Sequence, residues 1–405
     1  QMAPLNRLYE WDIFARMMTE TVPKLEFDPF FTTQRLADLQ RVYGWDDRFN
    51  QGRSVLYSHS GLINGNPFVL CRTKKMAMGT KTYYGHKTIH WTSRERTSDG
   101  KWTTVHHSET LTASYTAPYP GYYEKTRLIY GNIAAPDLCF DRTKNTFDSE
   151  QGSLSFKWKL HKLKKQAEKA NSNVVLMQNE DFEVLFNTIN RNHEQQYRLL
   201  FTPLAQESML ALLRDEKDAY GDDFDFLKRR MINVIVADHI QGIEFDMNPG
   251  RFRHFDFEYA KDNFVRLNAA YFRAMYFCLA PLLCVPMYQQ IRTRENIYGY
   301  GDRPKSSFWE HEALANFWGE DRFKHPRCAT QNILKTSERT LGNGSSEITV
   351  EAHGYEAVKR MYYERKWGGD GRLHTVPVEW YEYLTVVGSG TIYMNEDTND
   401  DSQLS

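Results

Sequence analysis

Residues 87–93 read KTIHWTS, and within this stretch apolar Ile89 and Trp91 alternate with polar neighbours. A period of two is typical of a strand with one buried face. The pattern extends in both directions through runs rich in β-branched and aromatic residues, with the hairpin signal Ser98-Asp99-Gly100 between them. The sequence therefore predicts an antiparallel sheet over residues 54–131, inside a β region of residues 54–150.

Two helices are predicted ahead of this region, within residues 1–53. Apolar residues recur at helical spacing from Leu5 to Met18, and Pro23 stops the pattern. A second helix is expected to be capped by Thr33 and to end at Gly44, where a residue with positive φ belongs.

A second, mixed α+β domain is predicted over residues 174–390. Asn179 and Thr202-Pro203 are typical helix starts. Residues 196–201, QYRLLF, and residues 231–240, MINVIVADHI, are interpreted as strands, and a long helix is expected to end at Pro281. A basic helical linker, residues 151–173, joins the two regions, and residues 391–405 form an acidic tail predicted to be disordered. The predicted fold class is α+β.

Composition excludes several classes of protein. The 405 residues include 41% hydrophobic side chains, which is too much apolar surface for a disordered chain. The formal net charge of −1 argues against nucleic acid as a partner. Five cysteines without a CxxC pair are too few for a disulfide scaffold, and they favour a reducing compartment.

The search for catalytic chemistry yields one candidate metal site. Histidine and cysteine are zinc ligands, and His311, His325 and Cys328 lie close in the sequence. The alternative is a helix with exposed charges followed by a turn. Asp222, Asp223 and Asp225 are dense enough for a calcium loop but lack its spacing, so they indicate a polar loop. No cofactor is predicted.

Aromatic residues make up 14% of the chain and raise the question of a binding surface. Most are expected to fill the core. Two short stretches stand apart, one in a proline-bracketed segment predicted as a loop and one on a short helix. Exposed rings can stack on sugars or anchor a protein interface. The candidate binding residues are Tyr119, Tyr122, Tyr123, Trp309 and Trp318.

The basic segment offers a different kind of contact. An amphipathic lysine-rich helix can lie on an anionic membrane, whereas the alternative is a solvated linker. The lysines concerned are Lys157, Lys159, Lys162, Lys164 and Lys165. Residues 264–288 are the candidate membrane stretch. Two prolines and an uncharged run of only fifteen residues, between Arg273 and Gln289, favour a buried core helix followed by an extended segment over a membrane span.

Several long motifs carry a resemblance: APYPGYYEKTRLIYGNIAAPDL, NEDFEVLF with RLLFTPLAQ, LAPLLCVPMYQQ and FWEHEALANFWG. Over roughly residues 5–385 the chain resembles a large uncharacterised bacterial family of membrane-anchored proteins with a soluble β-containing region. The NEDFEVLF and RLLFTPL unit is also similar, more weakly, to a module of small bacterial membrane proteins. The resemblance implies a membrane anchor upstream of Gln1, and it brings no catalytic residue with it.

These observations predict a non-enzymatic structural or interaction domain of a membrane-associated bacterial protein. Its partner would be another protein or a second copy of itself, and its soluble part would be cytoplasmic. Two alternatives stay open: a protein that binds or hydrolyses envelope glycan, and a metal-dependent enzyme around His311 and His325.

Overall fold

The computed structural model describes residues 4, 6, 7, 9, 10, 12–145, 154–167, 176–243, 245, 248–291, 304–341 and 345–394. The chain forms two compact units that are each discontinuous in sequence, whereas the predicted domains were consecutive. Unit 1 comprises residues 1–51, 55–73 and 124–314, and unit 2 comprises residues 52–54, 74–123 and 315–405.

The described strands are β1 (Leu25–Phe27), β2 (Arg53–Ile63), β3 (Asn66–Arg96), β4 (Trp102–Gly131), β5 (Cys139–Arg142), β6 (Thr188–Ile189), β7 (Phe224–Arg229), β8 (Ile232–Ala237), β9 (Ile333–Thr340), β10 (Ser346–Trp367) and β11 (Leu373–Met394). The described helices are α1 (Ile13–Thr21), α2 (Thr33–Arg41), α3 (Leu154–Ala167), α4 (Glu180–Phe186), α5 (Glu194–Leu200), α6 (Pro203–Arg214), α7 (Phe257–Leu283), α8 (Pro286–Gln290) and α9 (Phe308–Trp318). The α+β prediction is confirmed.

The strands form two sheets. The larger has the order β1-β2-β3-β4-β8-β7-β5-β6, and the smaller has the order β11-β10-β9. β10 and β11 pair antiparallel along their whole length, from Ser346 opposite Met394 to Trp367 opposite Leu373. The predicted antiparallel sheet over residues 54–131 is confirmed, but with longer strands. The stretch 87–93, for example, lies within the single strand β3.

Local signals place most helix starts correctly. The side chain of Asn179 accepts a hydrogen bond from Phe182 N at 3.1 Å, and Thr202 caps α6 just before Pro203. α2 is capped by Thr32 and not by the predicted Thr33, because the Thr32 hydroxyl faces Arg35 N at 3.0 Å. Gly44 has the positive φ expected of it after the helix, +74°.

Two predicted elements are wrong in type or extent. The segment QYRLLF belongs mainly to helix α5, which His193 caps and which buries Tyr197 and Leu200 one turn apart. Pro281 does not end α7, which continues to Leu283 with the proline inside its last turn. The short helix α8 follows, beginning at Pro286 after one extended residue.

The ends of the predicted segments also need correction. β11 extends to Met394, so residues 391–394 are strand and not tail. Residues 395–405 lie outside the described part of the chain, as do Leu5, Leu8 and Trp11 of the first predicted helix and the ends of the linker on both sides of α3.

Unit 1 holds a large core in which helices pack around the strands. Its main cluster joins residues as distant in sequence as Phe14, Phe140 and Tyr288. Four neighbouring rings form its densest part, with centroids 4.9–6.2 Å apart: Phe140, Phe182, Phe186 and Phe201. A second cluster is built around Trp309, which is fully buried.

Candidate functional site

Unit 2 is built mainly from two long antiparallel hairpins. The first comprises residues 74–96 of β3 and residues 102–123 of β4, and hydrogen bonds such as Thr82 with Thr116, at 2.9 Å, connect its strands. The second comprises β10 and β11, joined by a turn at Gly371, whose φ is +74°.

The two hairpins pack through a small core and a set of ring contacts. Ile89, Leu111, Ala113, Val376 and Val378 form the buried cluster. Tyr115 lies against the rings of Tyr362 and Trp380, with centroids 4.6 and 4.9 Å away. The backbone NH of Gly369 also donates to the Glu109 carboxylate at 2.6 Å.

Close approach of the two backbones requires one glycine. A Cβ placed on Gly85 would overlap the carbonyl oxygen of Pro377 and lie within 3.0 Å of the Val378 Cα. These are backbone atoms, which cannot rotate away as a side chain can. Gly85 therefore allows the backbones of the two hairpins to approach closely. Pro377 has no backbone NH to donate, and it lies in the part of β11 that contacts the first hairpin.

Many large apolar side chains of unit 2 are exposed despite this packing. Tyr84, Trp102, Tyr123, Tyr363, Trp367 and Tyr393 are each more than 60% exposed. Large contiguous apolar patches on a protein surface often mark interaction sites. The described part of unit 2 carries several exposed aromatic side chains along its ribbons.

The free edge of β11 is the second feature of this surface. Among the described strands, β11 neighbours only β10. From Tyr383 to Met394 it contains no charged residue and no proline, whereas its first half contains Pro377, Glu379 and Glu382. Val387 and Tyr393 on the neutral half are 50% and 66% exposed. We call residues 383–394 the neutral edge.

The predicted tyrosines lie in strand β4 and not in a loop. Because the edge of β4 that faces away from β3 pairs with β8 only at residues 128–131, Pro118 and Pro120 can be accommodated without disrupting the strand. Tyr123 is exposed. Tyr119 packs edge-on against Tyr383 at 5.3 Å.

Tyr122 is half-buried and is held by a specific partner. Its hydroxyl lies 3.0 Å from that of Thr330, and burial raises its pKa to about 12. It is a less accessible residue than its neighbour Tyr123.

The two predicted tryptophans differ from each other. Trp309 is a core residue with no exposed surface, so it cannot serve as a binding platform as predicted. Trp318 is exposed at the end of α9 and lies 5.8 Å from the guanidinium of Arg322.

The first turn of α9 contains buried polar side chains instead of the exposed charges considered from the sequence. The Glu310 carboxylate accepts hydrogen bonds from Phe31 N and Ser58 Oγ, both at 2.9 Å, and burial raises its pKa. His311 Nε2 lies 2.9 Å from Ser306 Oγ. Glu312 accepts from Val55 N at 2.9 Å. These contacts connect the first residues of α9 to other parts of unit 1.

His325 and Cys328 have local partners in unit 2. His325 Nδ1 accepts from Arg327 N at 3.2 Å, and Cys328 Sγ lies 3.4 Å from the Thr330 carbonyl oxygen. Within the described ranges, no group of three or more His, Cys, Asp or Glu side chains is arranged to hold a metal ion.

The acidic loop of unit 1 is neutralised by the protein itself. Asp222 accepts from the buried guanidinium of Arg142 and from Asn145 Nδ2, the latter at 2.7 Å. Asp223 lies 2.5 Å from His239 Nδ1. These two carboxylates therefore serve as hydrogen-bond acceptors for neighbouring protein groups. Asp225, which was predicted in the same loop, lies in strand β7 instead.

The basic helix α3 is present and presents two different faces. Phe156 is buried in the core of unit 1, and Leu160 and Leu163 pack against it. On the other face, Leu154 and Trp158 are 87% and 66% exposed.

The five predicted lysines do not have equivalent surroundings. Lys159 donates to Asn145 Oδ1 at 2.9 Å, and burial lowers its pKa to about 8. Lys164 pairs with Glu180 at 2.6 Å. Lys157, Lys162 and Lys165 are exposed, and the ammonium of Lys162 lies 5.3 Å from the Trp158 ring.

The long apolar helix of the sequence analysis, α7, buries one face in the core of unit 1. In the described part of the chain, no helix combines the length and the apolar character needed to cross a membrane. All five cysteines are free thiols.

Sequence reasoning missed the neutral edge as a feature, although its signal is present. A run of twelve uncharged residues rich in valine, threonine and aromatic side chains directly precedes the acidic residues after Met394.

In comparisons with protein-family models, curated proteins and solved structures, nothing matches this chain.

Proposed function

We propose that the chain is a non-enzymatic interaction protein that self-associates through the neutral edge of β11. The observation that carries this proposal is the free, uncharged and partly apolar second half of a 22-residue strand. An unpaired edge strand presents a row of free backbone groups that can pair with another chain.

The contrast within β11 supports this assignment. Proteins protect exposed edges with charges and prolines, and the first half of β11 contains both. The neutral edge has neither, so it lacks the features that prevent pairing with another strand. Its twelve residues are more than a strand pair needs, since most strands in globular proteins contain 3–10 residues.

A second copy of the chain fits this edge well. In an antiparallel pair centred on Ser389, Val387 lies opposite Thr391 and Thr385 lies opposite Tyr393, so no like charges meet. Such a two-fold contact closes as a dimer and does not propagate.

The test is charge substitution at the centre of this pair. Ser389→Lys places two lysines opposite each other in the dimer, while within one copy Glu351 lies opposite the new lysine on β10. Sedimentation velocity on the full chain should show a dimer for the parent and at least fivefold weaker association for Ser389→Lys, on the order of 1 kcal/mol.

A mixing experiment separates edge pairing from general destabilisation. Ser389→Lys and Ser389→Glu should each associate weakly alone and associate strongly when mixed, because opposite charges then face each other. Val265→Lys, on an exposed position of α7, is the matched control and should behave like the parent. A parent that stays monomeric, or a dimer insensitive to Ser389→Lys, would refute the proposal.

We propose contact with an anionic membrane surface as a second candidate function, carried by the exposed face of α3. Trp158 and Leu154 provide apolar groups for the interface, and Lys157, Lys162 and Lys165 provide charge. Each lysine near an anionic surface contributes about 1 kcal/mol. This surface would support the membrane association that the family resemblance implies.

Vesicle binding tests this second function. The full chain should sediment with vesicles containing phosphatidylserine and not with neutral phosphatidylcholine vesicles, and added salt should weaken the binding. Replacing Lys157, Lys162 and Lys165 by Gln should release the chain, whereas Lys217→Gln, on another exposed site of unit 1, should not. Equal binding to both vesicle types would contradict the proposal.

A further inference from the structure

The first hairpin of unit 2 has one buried face and one exposed face. Ile89, Leu111 and Ala113 lie on the buried face, in the cluster shared with the second hairpin. Because successive side chains of a strand point to opposite faces, the even-numbered residues lie on the other side. Those from 80 to 96 on β3 and from 102 to 118 on β4 are all exposed. We call these eighteen positions the hydroxyl face.

Hydroxyl groups dominate this face. Threonine and serine occupy ten of its eighteen positions, and histidine occupies three. Cross-strand contacts hold these side chains in register: the hydroxyls of Thr82 and Thr116 lie 2.9 Å apart, and those of Thr88 and Thr110 lie 3.1 Å apart. In each pair one hydroxyl donates to the other, so a second donor and several lone pairs can still serve a ligand.

The formal charges on the hydroxyl face have one sign. Arg94 and Arg96 lie on it, and none of its positions is Asp or Glu. Glu95 and Glu109 occupy odd-numbered positions, and Glu109 accepts from Gly369 N on the second hairpin. The face therefore complements a ligand that carries negative charge.

Two exposed rings accompany the arginines and the hydroxyls. Tyr84 and Trp102 are 64% and 69% exposed on this face. The threonine pairs, together with the hydrogen bond from Thr97 N to the Lys101 carbonyl oxygen, fix a register in which Trp102 lies opposite Arg96. A ring beside a guanidinium suits an acidic sugar, because the sugar can stack on the ring while its carboxylate pairs with the arginine.

One carboxylate of the second hairpin reaches the edge of the hydroxyl face. Glu364 accepts from Ser114 N at 3.4 Å, and Lys366 pairs with it at 2.7 Å. Thr104, which lies opposite Arg94, is ten residues away from Ser114 along β4, or roughly 33 Å. This negative charge is therefore paired and remote from the arginines.

The length and the composition of the face indicate the class of ligand. At about 3.3 Å per residue, residues 80–96 of β3 extend over roughly 50 Å, which suits a linear polymer. A protein that binds nucleic acid neutralises many phosphates with Lys and Arg, whereas this face has two arginines among ten hydroxyls. The ligand should therefore have many hydroxyls and few charges, as an acidic polysaccharide does.

We propose that the hydroxyl face binds a linear polysaccharide in which carboxylates alternate with neutral sugars. Arg94 and Arg96 pair with a carboxylate, Trp102 stacks on the sugar beside it, and the hydroxyls contact the sugars that follow. The face belongs to the first hairpin and the neutral edge belongs to β11, so this binding does not depend on the proposed self-association.

Calorimetric titration of the full chain with a hyaluronan decasaccharide, which carries a carboxylate on every second sugar, tests the proposal. The methyl ester of the same decasaccharide should bind at least tenfold more weakly, because it lacks the charge that the arginines recognise. Raising the salt concentration from about 50 mM to about 300 mM should weaken the acid at least threefold. A single-stranded oligothymidylate of similar length should bind more weakly than the decasaccharide.

Variants assign the binding to this face. Arg94→Gln combined with Arg96→Gln should weaken the acid at least tenfold and remove its preference over the ester. The matched control combines Arg198→Gln with Arg339→Gln, which removes the same charge at exposed positions outside the hairpin and should bind like the parent.

A second pair of substitutions tests the hydroxyls separately from the charges. Thr88→Val combined with Thr110→Val removes both members of a hydrogen-bonded pair, so neither hydroxyl is left without its partner. It should weaken the acid and the ester alike, at least twofold.

Circular dichroism and the melting temperature of each variant establish that it is folded before its titration is interpreted. The proposal is overturned if the decasaccharide does not bind at millimolar concentration, if acid and ester bind equally, or if the oligothymidylate binds more tightly. It is also overturned if the arginine variant or the threonine variant binds like the parent.

Discussion

Unit 1 and unit 2 use their aromatic residues in opposite ways. In unit 1, rings such as Phe182, Phe186 and Phe201 are fully buried and lie in contact with each other. In unit 2, the buried cluster contains few residues, and Tyr363, Trp367 and other rings of the ribbons are exposed. One unit therefore derives its stability from a large core, while the other leaves apolar surface in water.

This difference indicates a division of roles. Burial of apolar surface contributes about 25 cal/mol per Å², so the core of unit 1 can support a stable fold by itself. Exposed rings on a narrow two-stranded ribbon gain little from the fold and gain more when a partner covers them. We infer that unit 1 contributes most of the stable core, and that unit 2 carries the surface proposed for self-association.

The largest expected effect comes from the core of unit 1. Phe201→Ala should lower the free energy of unfolding by about 3–5 kcal/mol, because the cavity that it leaves is surrounded by Phe140, Phe182, Phe186 and Tyr197. Urea titration monitored by circular dichroism measures this loss.

Tyr363→Ala is the matched substitution on the ribbon of unit 2. Because Tyr363 is 61% exposed, its removal should change the unfolding free energy by less than about 0.5 kcal/mol. Comparable losses in the two variants would contradict the contrast between the units.

Features set by local chemistry could be predicted from the sequence. Asn179 and Thr202-Pro203 mark helix starts because their side chains satisfy backbone NH groups only a few residues away. The alternation in residues 87–93 is also a local signal, because successive side chains of a strand point to opposite faces. QYRLLF was misassigned because its apolar residues fit both periods, and only the contacts of Tyr197 and Leu200 within the core favour the helix.

Features that depend on distant segments could not be predicted. Trp309 is buried because Phe31 and Phe49 pack against it, and nothing near Trp309 in the sequence indicates this. A cavity in unit 1 is lined by residues of α1, of the segment before α7 and of α7, so no single spacing in the sequence indicates it. The free edge of β11 follows from the order of strands in the smaller sheet, which single-strand patterns do not specify.

Lys228 of unit 1 should raise the free energy of unfolding by about 2 kcal/mol between pH 7 and pH 9. Its ammonium lies deep in the core, 3.0 Å from the Ala134 carbonyl oxygen and 5.6 Å from the Tyr288 ring. Burial lowers its pKa from 10.5 to about 7. Above pH 7 the unfolded lysine therefore binds more protons than the folded one, and this group makes stability rise with pH by up to ~1.4 kcal/mol per pH unit.

Urea titrations of the parent and of Lys228→Met at pH 6, 7, 8 and 9 measure this effect. The stability of the parent relative to the variant should increase from pH 7 to pH 9 and stay constant below pH 7. Lys217→Met removes an exposed lysine of the same unit and controls for the change in net charge. A constant difference between parent and Lys228→Met over the whole range would show that Lys228 is not responsible.

A loss of about 1–3 kcal/mol in the free energy of unfolding is also expected when the contact between the two hairpins of unit 2 is disturbed. Gly85→Ala places a Cβ against the backbone of Pro377, and this overlap can be relieved only by moving one strand away from the other. Gly79→Ala is the matched control in the same strand, because its nearest neighbour, the Tyr119 carbonyl oxygen, lies 3.7 Å from the added carbon.

The measurement is the fluorescence of Trp380, whose ring lies against that of Tyr115 on the other hairpin. The variants are made in a background that lacks the other tryptophans of unit 2. Gly85→Ala should shift its emission to longer wavelength as the hairpins separate, and Gly79→Ala should not.

If Gly85→Ala also strengthens the association of the chain, the exposed rings are what the partner covers, because separating the hairpins exposes more of them. If Gly85→Ala weakens association while the unfolding free energy of unit 1 is unchanged, the partner requires the packed arrangement of β10 and β11. Pairing along the neutral edge has the same requirement.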